Sequence, residues 1–154
     1  MAKQSRQLSE DALIKFCADI FPQGESPDRF VNEARFGLSR ILPSLLLLEA
    51  PNPAILEVGA GSCILSSYLA STGLAVTALE PLGPEFSFFA DLQGRVLDHC
   101  RREGIALKLV RTNGEQLDLP GQFDFSFTIN ALEHMSDPLC TIDNMHRSLK
   151  SGGS

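Results

Sequence analysis

Ala54-Ile55-Leu56-Glu57-Val58-Gly59-Ala60-Gly61-Ser62-Cys63 is the stretch that decides the fold. Its first five residues read as a buried strand, apolar except for Glu57. Two glycines then permit a tight turn, and their missing Cβ atoms let a ligand approach the backbone. A helix over about Cys63 to Ser71 comes next, with Gly73 just past its end. A strand, a glycine turn and a helix in this order open an α/β unit. In such a unit the binding crevice lies at the carboxyl ends of the strands.

The alternation continues towards the C-terminus. Ala75 to Leu79 reads as a second strand, closed by Glu80 and Pro81. A helix is expected from about Glu85 to Arg102, offering Phe86, Phe89, Leu92, Val96 and Cys100 to one face. Gly104 separates it from a third strand, Ile105 to Val110, and a loop then carries Thr112-Asn113-Gly114-Glu115. A fourth strand is expected over Phe123 to Ile129, and a last helix from about Pro138 to Lys150, ended by Ser151-Gly152-Gly153. Strands separated by helices imply parallel pairing, because parallel neighbours need a long crossover.

Before residue 50 the pattern is helical. Ser9 is placed to cap a helix whose first turn holds Glu10 and Asp11, where the helix dipole favours negative charge. Leu13, Phe16, Cys17 and Ile20 form its apolar stripe, and Pro22-Gln23-Gly24 stops it. Ser26-Pro27-Asp28 opens a second helix, with Ser26 as cap and Pro27 at its first position. Phe30, Val31, Ala34, Leu38 and Ile41 continue its face, Pro43 is expected to kink or restart it, and Leu45 to Leu48 reads as core packing. Pro51-Asn52-Pro53 is a hinge. Residues 1–50 therefore read as a helical extension or lid, and 54–154 as a nucleotide-cofactor domain.

The 154 residues suit one domain, and 44% hydrophobic against 21% charged residues supports a packed core. A net charge of -6 argues against a non-specific nucleic-acid or anionic-membrane binder. The most apolar stretch, Ile41 to Leu48, falls well short of the ~20 residues of a membrane span. The N-terminus has no apolar signal core. Cys17, Cys63, Cys100 and Cys140 are scattered without a C-x-x-C, which reads as free thiols in a cytoplasmic setting.

Glu80 lies 21 positions after Gly59, a spacing that suits a carboxylate on a ribose diol. A dinucleotide fingerprint would need glycine at position 64, where Ile64 stands, and a pyrophosphate has little use for Glu57. An adenosyl-sulfonium cofactor has no phosphate and brings an ammonium and a positive sulfur, so an acid beside the loop is electrostatically sensible.

Five segments, in order, carry a resemblance: I-L-E-V-G-A-G-S-C (55–63), T-A-L-E-P (77–81), T-N-G-E-Q-L-D-L-P (112–120), F-D-F-S-F-T-I-N-A-L-E-H-M-S-D-P (123–138) and S-L-K-S-G-G (148–153). Together they resemble class I S-adenosylmethionine-dependent methyltransferases, in particular the type 11 family. The resemblance implies an α/β, Rossmann-like parallel sheet of about four strands here, an incomplete form of the family's seven, with an N-terminal helical extension. It implies that Gly59, Ala60 and Gly61 line the cofactor's amino-acid tail, with Glu57 near its ammonium. Glu80, followed by Pro81, would hold the ribose. Asn113, in place of the family's usual aspartate, and Gly114 would meet the adenine. Asn130 and the loop through Glu133 and His134 would sit near the sulfonium, with His134 as the candidate general base. Cys63 and Ser151 depart from the family's usual glycine and proline.

The expected function is methyl transfer from S-adenosylmethionine to a small-molecule acceptor. A non-catalytic nucleotide-binding or interaction module is the alternative, and a nicotinamide-dependent oxidoreductase is a further one. With the fourth strand at an edge, pairing of two copies through that edge is expected, or a fragment of a longer chain. No metal site is expected at Glu133, His134 and Asp137. His99 and His146 read as solvated, and Phe86, Phe88 and Phe89 as core.

Overall fold

Four short strands form one parallel sheet in the order β3-β2-β1-β4. They are β1 (Ala54–Val58), β2 (Ala75–Leu79), β3 (Leu107–Val110) and β4 (Phe125–Phe127). The helices are α1 (Glu10–Ile20), α2 (Asp28–Leu47), α3 (Ile64–Ser71), α4 (Ala90–Glu103) and α5 (Pro138–Ser148). The computed structural model describes residues 8–22, 27–82 and 89–154. Val58 is in register with Leu79, and Leu79 with Val110, so β1, β2 and β3 finish level. That alignment places the turn after β1 beside the acid after β2.

The sheet buries both faces. Ile55, Val76, Ala78, Phe125 and Phe127 pack under α1 to α4 through Leu13, Leu38, Leu65, Leu69 and Val96. Leu56, Val58 and Leu79 pack on the other face with Leu117, Phe123, Met145 on α5 and Leu149 at the C-cap of that helix. The N-terminal helices thus share a core with the sheet.

Ser9 caps α1, its hydroxyl accepting from the Ala12 N–H at 3.1 Å. Tyr68 on α3 locks this cap: its hydroxyl donates to the Ser9 carbonyl and accepts from the Ser9 N–H, both at 3.0 Å. Tyr68→Phe is expected to cost about 1 kcal/mol per lost bond and to speed amide exchange in α1 before the sheet opens. Uniform exchange changes across both layers would refute this anchoring.

Several sequence expectations need correction. Pro43 neither breaks nor restarts α2, which runs on to Leu47 because its buried stripe, Ala34, Leu38, Ile41 and Leu45, outweighs one missing ladder bond. Within the leucine run Leu45 is buried and Leu48 packs partly buried against the core, whereas the helical turn carries Leu46 and Leu47 out to 66% and 80% exposure. The proposed cap Ser26 lies outside the described residues, and Pro27 occupies the N-cap itself. β3 starts at Leu107 because the Ile105 N–H still closes α4 onto Cys100 after the left-handed Gly104. β4 holds only Phe125–Phe127, and by Ile129 the chain already lines the crevice. α5 ends at Ser148, because the Lys150 N–H pairs with the Phe123 carbonyl and its ammonium with Asp124. His99 is buried against the edge of Phe16, a contact that only the docking of α1 on α4 creates. The expected start of α4 near Glu85, with Phe86 and Phe88, lies outside the described residues.

β4 is the edge of the described sheet. Part of that edge is occupied: the Ser126 N–H donates to the Ser154 carbonyl at 2.9 Å, and the Ser154 N–H to Asp124 at 3.1 Å.

Candidate functional site

At the carboxyl ends of β1 and β2 lies a crevice of about 480 Å³, within the usual range for a small-molecule site. The sequence expectations converge there. Glu57, Gly59, Ala60 and Gly61 line it from β1, and Glu80 and Pro81 from β2. Asn113 and Gly114 line it after β3, and Asn130 and His134 after β4.

The turn after β1 is held in a demanding conformation. Gly59, Gly61 and Cys63 all have positive φ, at 75°, 49° and 60°. Cys63, standing where the resemblance expects glycine, therefore adopts the left-handed conformation itself. Gly59 is required twice over, since a Cβ there would lie 2.4 Å from the Ala131 Cβ. Gly114 is required for a different reason: its Cβ would strike the Thr141 side chain on α5 at 2.4 Å. Asn144 then fixes this second turn, its amide donating to the Gly114 and Glu115 carbonyls at 3.0 and 2.9 Å.

Four acids line the crevice: Glu33, Glu57, Glu80 and Glu115. Glu80 is 5% exposed, and each of its oxygens already accepts one backbone N–H, from Gly61 at 2.7 Å and from Leu82 at 2.9 Å. A carboxylate has about four acceptor sites, so capacity for two more donors remains. Glu57 is also 5% exposed and accepts from the Ser66 hydroxyl. Burial pushes its pKa up to about 8, against the downward pull of Ser66. Glu33, on α2, is the third acid and was not singled out in the sequence. It accepts from the Asn130 amide at 3.3 Å, which ties the loop after β4 to α2.

α2 also brings Arg29 and Phe30 to the crevice, and Phe30 packs against Phe89 with centroids 5.3 Å apart. Phe89 therefore lines the crevice as well as packing, an outcome hidden in the sequence because helix periodicity does not say where a helix begins. The loop after β4 forms a 3-10 turn, Leu132–His134. Glu115 steadies the residues just beyond that turn, accepting from the Ser136 and Asp137 N–H groups at 2.9 and 3.1 Å. The Asn113 side chain accepts from the Gln116 N–H at 3.0 Å and so caps its own turn. Among the described residues no group of three or more potential ligands could hold a metal ion, and no helix is long and apolar enough to cross a membrane.

Titration of Glu57 gives fold stability a definite sign. Between about 4.5 and about 8 the folded chain holds this proton while the unfolded chain has released it. Stability therefore falls as pH rises through that window, on the order of a few kcal/mol. Glu57→Gln is expected to remove that slope in denaturation series run at several pH values. An unchanged slope would show that Glu57 titrates normally.

The geometry can be set beside known proteins. A family model described as a methyltransferase domain (Methyltransf_11) matches residues 56–154. An uncharacterised protein of Mycobacterium tuberculosis is 35% identical over 123 residues, covering 79% of this chain and 40% of its own length. The ubiquinone biosynthesis O-methyltransferase of Pseudomonas paraeruginosa is 35% identical over 101 residues, covering 64% of this chain and 40% of its own. The chain thus spans about two-fifths of these relatives. The 1,6-didemethyltoxoflavin-N1-methyltransferase of Burkholderia thailandensis, solved with S-adenosylhomocysteine bound, shares the fold with a TM-score of 0.59 at 20% identity, over 94% of this chain and 57% of its own. With the matched region carrying the glycine turn, Glu57 and Glu80, the chain belongs to the methyltransferase-domain family.

Proposed function

We propose that the crevice binds S-adenosylmethionine and that the protein transfers its methyl group to a small-molecule acceptor. The observation that carries this reading is the meeting of Glu80, the left-handed Gly59–Cys63 turn and the buried Glu57 in one hollow. The residues fit the group. Glu80 and Glu33, joined by Glu57 once it ionises, suit a ligand with positive charge better than a pyrophosphate. Glu80 keeps acceptor capacity for a ribose diol, and the Gly59–Gly61 backbone leaves room for an amino-acid tail. In this reading Asn113 and Gly114 meet the adenine, and Asn130 and His134 the reacting end.

The bound cofactor supplies an electrophilic methyl on a positive sulfur. The protein's part is position and electrostatics. His134, on the exposed turn after β4, takes the proton of an oxygen or nitrogen acceptor in this reading. His134→Gln is expected to leave S-adenosylhomocysteine affinity intact and to slow turnover by about 10²-fold or more. Undiminished turnover would remove His134 from the chemistry. The four free cysteines support a cytoplasmic site of action.

Calorimetric titration with S-adenosylhomocysteine and, separately, NAD tests the reading. Saturable heat with the first and none with the second is expected. Affinity should rise between pH 6 and 8, as Glu57 ionises beside the ligand's ammonium. Binding of NAD alone would favour the oxidoreductase, and no heat with either ligand would favour the non-catalytic module.

A further inference from the structure

Behind the crevice, α4 buries a polar side chain that no core needs. Gln93 is 1% exposed, in the first turn of an otherwise amphipathic helix. Burying an amide is costly unless its hydrogen-bonding capacity is met. Here it is met. Nε2 donates to the Gly61 carbonyl at 2.7 Å and to the Cys63 sulfur at 3.4 Å. Oε1 accepts from the Arg111 guanidinium at 2.5 Å. A second nitrogen of Arg111 donates to the Glu80 backbone carbonyl at 3.4 Å.

These contacts close a circuit. The Gly61 N–H donates to the Glu80 carboxylate at 2.7 Å, and the Gly61 carbonyl accepts from Gln93. Gln93 is held by Arg111, and Arg111 returns to the backbone of Glu80. The chain passes through the end of β1, α4, the residue after β3 and the end of β2. Both peptide groups that flank the Gly61 Cα are thereby pinned, at a glycine whose φ of 49° is in the left-handed region that its missing Cβ permits. The Gly59 and Ala60 N–H groups hold the start of the turn on the Leu79 carbonyl, and Gln93 holds its Gly61 end, next to the N–H that meets the Glu80 carboxylate.

We propose that Gln93 and Arg111 are positioning residues that set the Glu80 carboxylate against the glycine turn, and so confer preference for a ribose over a deoxyribose in the bound nucleoside. This rests on the reading of the crevice as an adenosyl-cofactor site. Neither side chain lines the crevice. Each acts through the backbone and carboxylate that do.

The experiment is calorimetric titration of the whole chain with S-adenosylhomocysteine and with its 2′-deoxyribose analogue. Four proteins are compared: wild type, Gln93→Met, Arg111→Met and the double variant. Wild type is expected to prefer the ribose ligand. Gln93→Met is expected to weaken S-adenosylhomocysteine binding about tenfold while barely changing the deoxy analogue, so the preference shrinks. Arg111→Met is expected to shrink it in the same direction, and the double variant to be no weaker than Gln93→Met, as for residues acting as one unit. A merely structural role would weaken both ligands equally, so equal weakening overturns the proposal, as does full ribose preference in both single variants. Arg111 is exposed, so its variant decides the matter even if Gln93→Met fails to fold: a preserved preference in Arg111→Met then overturns the proposal, and Arg111→Lys restoring a lost one supports it. Failure of wild type to bind either ligand would defeat the cofactor reading itself, a separate result.

Discussion

Gly59→Val should unfold much of the crevice and abolish S-adenosylhomocysteine binding. Two costs add. A branched residue at a φ of 75° pays about 1–2 kcal/mol for the left-handed conformation. Its Cβ, placed 2.4 Å from that of Ala131, forces apart the turn after β1 and the loop after β4 at about 1–3 kcal/mol more. Denaturant titration is expected to show a loss of about 2–5 kcal/mol. Gly61→Ala meets only an aromatic ring at 3.5 Å and is expected to lose mainly the conformational part. Equal stability of Gly59→Val and wild type would mean that the two loops do not approach as described.

Glu80→Ala is the second large effect. It removes the acceptors for two backbone N–H groups and, in the proposed complex, for the ribose hydroxyls. Hydrogen bonds to a charged group are worth about 1.5–3 kcal/mol, so cofactor affinity should fall roughly ten- to hundredfold. Glu80→Gln keeps one acceptor oxygen and should fall between wild type and Ala. Unaltered affinity in the alanine variant would take Glu80 out of the site.

The parallel sheet and its crevice were legible because they rest on local signals. A short apolar run, a glycine turn and an acid after the next strand specify β1, β2 and the hollow between them without knowledge of long-range packing. Ser9 and Gly104 likewise announced helix ends through their own backbone chemistry. What escaped the sequence depends on tertiary contact. Glu33 sits on a helix whose only visible signal was its apolar stripe, and it reaches the crevice through the packing of α2, with Asn130 bonded to it there. Gln93 interrupts the apolar face expected for α4, and no sequence pattern marks a buried glutamine as a link between two turns. His99 was read as solvated because α4 alone leaves it so, and Phe16 from α1 covers it. The raised pKa of Glu57 arises from burial, which its position on a strand suggests only in part.

A crystal structure of the protein grown with S-adenosylhomocysteine would settle the matter. The ribose hydroxyls should lie within about 3 Å of the Glu80 carboxylate, the usual hydrogen-bond range. The amino-acid tail should run along Gly59–Gly61 towards Glu57, and the adenine beside Asn113 and Gly114. Ligand density elsewhere on the molecule, with the hollow between Glu57 and Glu80 holding only water, would overturn the assignment.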